Sequence, residues 1–544
     1  MSGTISSPDE QKGPSRGDGI RAGLVLKDSA VISTFNALGI ASALLVDVVV
    51  AAKYGLGAET DAFFIALTIP QLLASILGTS INPVMVPLFS ATRVQAGEEE
   101  NWRLFSNLIN LSTIFLAVVA LVGVLCSPLL MFVSAPGLED ASRQVAISLN
   151  RVLFAVVVMA GLAEIMKAML NSQRRFAVPA AASFVQYVVV VFVILLLGGG
   201  LGIHAVAIGY VLGYVLQVLA LAAAVLILGG RYYPMLNTRD PTVRQAGRLF
   251  APLVIGDGLN QSSIWIERLL ASFLPAGSVS ALVYARRVLR VLTQALVNSV
   301  SRALLPRLSV LASKANLKEL RHATLFGIKL TFGLCVPVAV GVMVTSTQLI
   351  SLLFQRQAFD EKAVSMAASI LVLYMPGLAF MALQRVAVAS FFASQDTKTP
   401  LYIRIGSLVL LVPLELTLFF ITGVYGLPLA LSLTRVVTAV AAHLLMRRRI
   451  GAFEEDLWRY GLKVGAAAIV MGLAVLPMIS WMETQLPFSL PLKRVIQLGS
   501  AALVGLAIYV ASLILLRVGE VEQAIRLVGS RLIARLPNTV GTHR

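Results

Sequence analysis

The sequence predicts an all-α polytopic membrane protein: about fourteen transmembrane helices, arranged as two parallel six-helix lobes plus two extra C-terminal helices. Three observations predict it. The 544 residues are 58% hydrophobic and only 13% charged, with a mean hydropathy of +0.85, whereas a soluble chain carries about a quarter charged residues. Apolar runs of about 18 residues or more, long enough to cross a hydrocarbon core, recur along the chain. Two sequence patterns also reappear six spans apart.

The chain opens with a polar stretch, residues 1–28, rich in Gly, Ser and charge. It lacks an apolar core before a small-residue cleavage site and reads as a disordered cytoplasmic tail. Spans are then expected at 29–52, 61–91, 104–133, 145–170, 176–198 and 201–229 for the N-terminal lobe (29–229). A cytoplasmic linker follows at 230–245. Spans at 246–274, 277–309, 322–354, 362–393, 400–422 and 425–446 make the C-terminal lobe (246–449). Two further spans, 457–482 and 491–516, fill 450–516, and 517–544 is a second cytoplasmic tail.

Orientation follows from the connections. Lys and Arg gather in alternate loops, among them Arg174 and Arg175, Arg239 and Arg244, Lys314 and Lys318, and Arg447 to Arg449. The intervening loops are short and poor in base, or carry at least as much acid, as in PGLEDASR and QRQAFDEK. Because basic loops stay inside, both termini are expected in the cytoplasm. The formal charge of +17 is thus a topology signal, and no nucleic-acid partner is expected.

The internal repeat has two parts. The stretch from Asp61 (DAFFIALTIPQLLASILGTSINPVMVPLFS) aligns with that from Ser280 (SALVYARRVLRVLTQALVNSVSRALLPRLS), and LNSQRRFAVP (170–179) aligns with FFASQDTKTP (391–400). An even number of spans between the members keeps direction, so the repeats are parallel. A substrate route between two such halves is what this architecture predicts.

Charge inside a span is expensive and needs a reason. Asp47 lies deep in span 1 and Asp61 opens span 2. Span 7 carries Asp257, Glu267 and Arg268, and span 8 carries Arg286, Arg287 and Arg290. The three span 8 arginines fall on about one helical face. They are expected to line a hydrated cavity and favour a phosphate or pyrophosphate, which guanidinium groups bind in bidentate fashion; the competing reading pairs them with Glu267, Asp257 or Asp47. Glu164 and Lys167 are spaced for a local ion pair, and Arg385, Arg404, Glu415 and Arg435 are expected to form interhelical pairs. Pro70, Pro83 and Pro87 in span 2, with Gly256 and Gly258 around Asp257, are candidate hinges or static kinks.

Enzyme classes find little support. The sequence holds no phosphate-binding P-loop and neither Gly-x-Ser-x-Gly nor His-Glu-x-x-His, and its four histidines lack metal-ligand spacing. Cys126 and Cys335 sit in apolar runs, which argues against a disulfide framework. A transporter without cofactor or metal is the expectation. Energy coupling by the membrane potential or by a monovalent cation near Asp47 or Asp257 fits the embedded charges.

Several segments resemble the MurJ (MviN) lipid II flippase family of the multidrug/oligosaccharidyl-lipid/polysaccharide exporter superfamily. They are GLGAETDAFFIALTIPQLL…NPVMVPLFS (55–90), APGLED (135–140), LNSQRRFAVPA (170–180), ASFLPAGSVSALVYARRV (271–288) and SQDTKTP (394–400). The resemblance implies a flippase that carries an undecaprenyl-pyrophosphate-linked glycan precursor, lipid II for peptidoglycan, across the bacterial inner membrane by alternating access. It implies membrane lipids and cell-wall or polysaccharide synthesis enzymes as partners, with Asp61 as the span 2 acid and Arg287 as the cavity arginine. Three departures stand out. The span 1 stretch FNALGIASALLVD has no arginine, Ala74 stands where the family has one in span 2, and Arg286 stands beside Arg287 where the family often has an acid. The alternative substrate is a different lipid-linked saccharide of exopolysaccharide or O-antigen type, and further off a small molecule.

Overall fold

A computed structural model of the chain describes residues 16–314, 316–451 and 457–518. Every regular element among these residues is helical. The helices are α1 (Arg16–Tyr54), α2 (Ala58–Leu125), α3 (Ser127–Ser134), α4 (Asp140–Ser172), α5 (Ala177–Leu197), α6 (His204–Ile227), α7 (Pro241–Ala271) and α8 (Ser278–Leu292). After a π-helical turn (Thr293–Asn298) come α9 (Ser299–Ser313), α10 (Leu317–Phe354), α11 (Glu361–Ala393), α12 (Lys398–Thr422), α13 (Gly426–Ile450), α14 (Leu457–Gln485) and α15 (Leu490–Leu515).

Among the described residues, ten helical stretches are long and apolar enough to cross a membrane. Two of them double up. Ala58–Leu125 has 68 residues and holds two helices that meet at a kink at Gly97, each long enough for a hydrocarbon core of about 30 Å. Lys398–Ile450 spans α12, a 3-10 turn at Gly423–Tyr425 and α13. α7 and the 278–313 stretch are long enough but carry the charges of the site, and they fall outside this tally. The chain is a polytopic all-α membrane protein.

Three boundaries differ from expectation, each for a physical reason. α1 begins at Arg16, so residues 16–28 of the expected tail are helical. Residues 1–15, and the second tail beyond Val518, lie outside the described residues. The expected gap between spans 2 and 3 is helical because 92–103 is rich in helix formers and braced by Arg103–Glu99 and Arg93–Glu98 ion pairs. Only Gly97 leaves helical geometry there, with φ 91° and ψ 177°. The expected span 277–309 is interrupted by the π turn just beyond Arg290.

The chain forms two compact units. The first comprises residues up to Val49, Ala66–Ser127 and Ile147–Gly258. Here helices approach through small residues, as membrane helices do: a Cβ at Gly213 of α6 would lie 2.7 Å from the Gln186 carbonyl oxygen of α5, and Gly123 of α2 abuts the Phe154 ring. The segment after α6 is tied to α2 by its side-chain amides. Asn107 donates to the Asn237 carbonyl at 2.9 Å and accepts from the Asn237 N–H at 2.8 Å, and Asn110 donates to the Met235 carbonyl at 3.0 Å.

The second unit comprises Val50–Ile65, Pro128–Ala146 and the described residues from Leu259 to Val518. Its core joins α8 to α13, and α14 and α15 pack on α10. Tyr460 of α14 and Tyr509 of α15 donate their hydroxyls to the α10 carbonyls of Lys329 (2.7 Å) and Gly333 (2.8 Å). α11 carries Pro376, and Ser432 of α13 mends the ladder beside it. Its Oγ donates to the Leu373 carbonyl at 2.6 Å and accepts from the Gly377 N–H at 3.2 Å, an inserted side chain of the kind that permits bending.

The second repeat is visible in the backbone. Arg174 (φ 61°) and Gln395 (φ 57°), five residues before Pro179 and Pro400, are both left-handed. The Arg175 N–H bonds the Leu170 carbonyl at 2.9 Å, and the Asp396 N–H bonds the Phe391 carbonyl at 2.9 Å. The two turns share one C-capping geometry.

Candidate functional site

The charged cluster of α7 and α8 lies in the second unit, on a rigid apolar support. Tyr284 of α8 is fully buried, with its ring 5.5 Å from Phe64, 5.1 Å from Phe354 and 5.7 Å from Phe359. These aromatic contacts fix the rotation of α8 about its axis and therefore the directions of the arginines that follow.

Arg286 is ion-paired with Glu267 of α7, their side chains 14% and 3% exposed. Tyr374 of α11 donates its hydroxyl to Glu267 Oε2 at 3.0 Å, and the Arg286 guanidinium lies 5.7 Å from the Tyr374 ring centre. Glu415 of α12 is fully buried nearby, and its electrostatic neighbours are Glu267 and Arg286. Neither Glu415 oxygen accepts a hydrogen bond among the described residues.

Arg268 donates to the Phe64 carbonyl at 2.8 Å, and its charge feels those of Arg286, Arg290 and Arg287. Arg287 is half-buried and Arg290 exposed. Arg286 of the expected trio is thus held by an acid, as the competing reading had it.

Asp61 is 4% exposed. One oxygen accepts from the Gly277 N–H at 2.7 Å; the other accepts from the Ser280 N–H at 2.7 Å and the Ser280 hydroxyl at 2.6 Å. A carboxylate on the first amides of α8 satisfies donors that the helix itself cannot and complements the positive end of its dipole. Expected as a cavity residue, Asp61 is placed as the cap that positions α8. Asp61 and Ser280 are also equivalent positions of the internal repeat.

Two more contacts hold the outer segments of the second unit. The Ala358 N–H donates to the Ala52 carbonyl at 3.0 Å, beside Gly55, whose φ is +61°. The Gly137 N–H donates to the Ser272 hydroxyl at 3.3 Å.

The remaining site residues fall in the first unit. Asp257 accepts from the hydroxyls of Thr79 (2.6 Å) and Ser80 (3.1 Å) of α2. Asp47 is buried in α1. Pro70, Pro83 and Pro87 lie inside helical α2, and Gly256 and Gly258 inside unbroken α7. A side chain at Gly258 would meet only Ile76, at 4.0 Å, so packing does not demand glycine there. Glu164 pairs with Lys167 at 2.9 Å as expected and also accepts from Asn82 at 2.9 Å.

The sequence reading missed Tyr374, Thr79 and Ser80 as partners. Arg435 bonds Gln384 at 3.4 Å instead of an acid. The only signal available was that each is a polar residue in an apolar run. Both cysteines are free, and no grouping of metal-ligand type occurs among the described residues.

The described residues form a polytopic all-α membrane protein with a basic cluster embedded in its second unit. A solved structure described as "Lipid II flippase MurJ, inward closed conformation" superposes with a TM-score of 0.75 at 22% identity, covering 90% of this chain and 99% of that one. An inward-facing multidrug resistance MATE family transporter of the MOP superfamily superposes at 0.64 and 17% identity, covering 76% and 94%. The family model "Lipid II flippase MurJ" matches residues 50–496, and the chain belongs to that family. A relative from Burkholderia cenocepacia named "Lipid II flippase MurJ" is 27% identical over 454 residues, 81% of this chain and 88% of its own.

Proposed function

We propose that the chain is a lipid II flippase, a transporter and not an enzyme, which moves undecaprenyl-pyrophosphate-linked muropeptide from the inner to the outer leaflet by alternating access. The observation that carries this reading is family membership over residues 50–496, and the embedded basic cluster of α7 and α8 supplies suitable chemistry. Arg287 and Arg290 receive the pyrophosphate, where guanidinium forks match phosphate oxygens. Arg286, bound to Glu267 and Tyr374, holds the cluster's geometry.

Asp61 positions α8 through its cap. Together with the Ala358–Ala52 and Gly137–Ser272 contacts it forms the set of bonds that must break for the outer segments to open. Asp257, bonded to Thr79 and Ser80, and Asp47 carry embedded charge on which the membrane potential acts, at ~2.3 kcal/mol per charge per 100 mV; a monovalent cation is the other coupling source. Gly256, Gly258, Pro70 and Pro83 serve as the points where α7 and α2 bend. The protein resides in the bacterial inner membrane with both termini cytoplasmic, alongside cell-wall synthesis enzymes.

A second reading rests on Ala74, which is buried in α2 where the resemblance calls for an arginine. A cavity poorer in arginine suits another polyprenyl-linked saccharide. Complementation of a bacterium depleted of its own lipid II flippase, with membrane expression verified, tests the choice. Rescue supports lipid II; failure at full expression transfers the assignment to the second reading.

A further inference from the structure

The second unit contains a crevice of about 130 Å³ lined by Arg385 of α11, Arg404 of α12 and Arg435 of α13, with Gln384, Ser263 and Ser407. Three helices thus each contribute a cation to one small space. The charges are close enough to act on one another, Arg404 on Arg385 and Arg385 on Arg435, and Arg286 of α8 acts on Arg435 as well. Glu415 of α12 has Glu267 and Arg286 as its electrostatic neighbours. Arg435 donates to the Gln384 amide oxygen at 3.4 Å, which orients a guanidinium but cancels no charge.

Cations inside membrane-spanning helices are expensive and mark binding sites when they face a hydrated space. Arg385 lies eight residues before the end of α11 and Arg404 six after the start of α12. At ~1.5 Å per residue both sit about 9–12 Å inside the helix ends that flank the 394–397 turn. By the charge distribution of the loops that turn faces the cytoplasm. Basic pockets at this depth between helices suit anionic head groups.

We propose that this crevice is a phosphate-binding site beside the α8 cluster. It takes a phosphodiester or pyrophosphate group, from the head of an anionic membrane lipid or from a soluble phosphate of the cytoplasm. Arg385 and Arg404 bind the phosphate oxygens, Arg435 adds charge from α13, and the hydroxyls of Ser263 and Ser407 supply neutral donors. The site does not depend on which glycan the protein carries.

The test uses the full-length protein carrying Arg287→Ala, so that the α8 cluster is weakened as a competitor, in nanodiscs of phosphatidylcholine. Native mass spectrometry reads retained phosphatidylglycerol, and calorimetry reads inorganic pyrophosphate. Binding of either probe is expected to fall at least about tenfold in Arg385→Gln/Arg404→Gln. It is also expected to fall in Ser407→Phe, which fills the crevice and leaves every arginine in place; gel filtration and melting temperature verify folding. Phosphatidylglycerol retained and not displaced by pyrophosphate identifies a lipid head group, whereas pyrophosphate binding with displacement identifies a soluble phosphate. Both outcomes support the site. Binding unchanged in both variants, or neither probe bound by the parent, overturns it.

Discussion

Replacing Glu267 by Gln should destabilise the protein far more than the loss of one hydrogen bond would. Glu267 and Arg286 have side chains 3% and 14% exposed, so removing one charge strands the other away from water. Breaking a buried ion pair in this way costs about 3–5 kcal/mol. Tyr374 softens the loss a little, because the Gln amide oxygen still accepts its hydroxyl at the ~1 kcal/mol of a neutral hydrogen bond. Glu267→Gln/Arg286→Gln removes both charges together and should cost much less than the two single losses added, a coupling on the order of 2–3 kcal/mol. Glu415 is the alternative partner for a stranded Arg286, so the cycle should be repeated with Glu415→Gln, where the Glu267→Gln loss should grow. Equilibrium unfolding of purified protein in mixed detergent micelles measures all of these. Single losses that add to the double loss within about 0.5 kcal/mol would refute the pairing as the element that holds α7, α8 and α11 together.

Three further outcomes are expected. Arg287→Ala should abolish transport while membrane insertion stays normal, and wild-type transport by this variant would sink the cavity assignment. Asp61→Ala should cost about 0.5–2 kcal/mol for the lost α8 cap, seen as faster amide exchange at Gly277 and Ser280; unchanged exchange would contradict the capping role. In the turn before α12, the N–H and hydroxyl of Thr399 hold the Asp396 carboxyl below its ordinary value, aided by Arg449. The stabilisation it gives is therefore complete above the unfolded value of about 3.9 and disappears as pH falls through the lowered one. Protection of the Lys398 and Thr399 amides, corrected for intrinsic exchange, should follow that curve in the parent and lose its pH dependence in Asp396→Asn.

Most helices were legible because their apolar runs end at turn residues. The expected 362–393 and 457–482 meet α11 (Glu361–Ala393) and α14 (Leu457–Gln485). The break expected between spans 2 and 3 falls at Gly97, where two helices meet; the polar residues on either side stay helical because Glu99 and Arg103 are spaced for an ion pair. The π turn at Thr293–Asn298 has no sequence signature of its own. The basic character of the site was legible from charge embedded in apolar runs. Its wiring was not: Tyr374 reaches Glu267 from a helix 107 residues away in sequence, and which acid meets which arginine is decided by packing. Asp61 shows the same limit, since nothing in its own segment tells that it accepts from the Gly277 and Ser280 amides where α8 begins.

The most direct test of the central claim measures the leaflet in which lipid II resides. In spheroplasts whose only flippase is this chain, a membrane-impermeant enzyme that cleaves lipid II should consume most of the labelled pool. In the Arg287→Ala strain, with equal protein in the membrane, the pool should stay protected. Lipid II that remains protected in the parent strain at full expression would contradict the assignment.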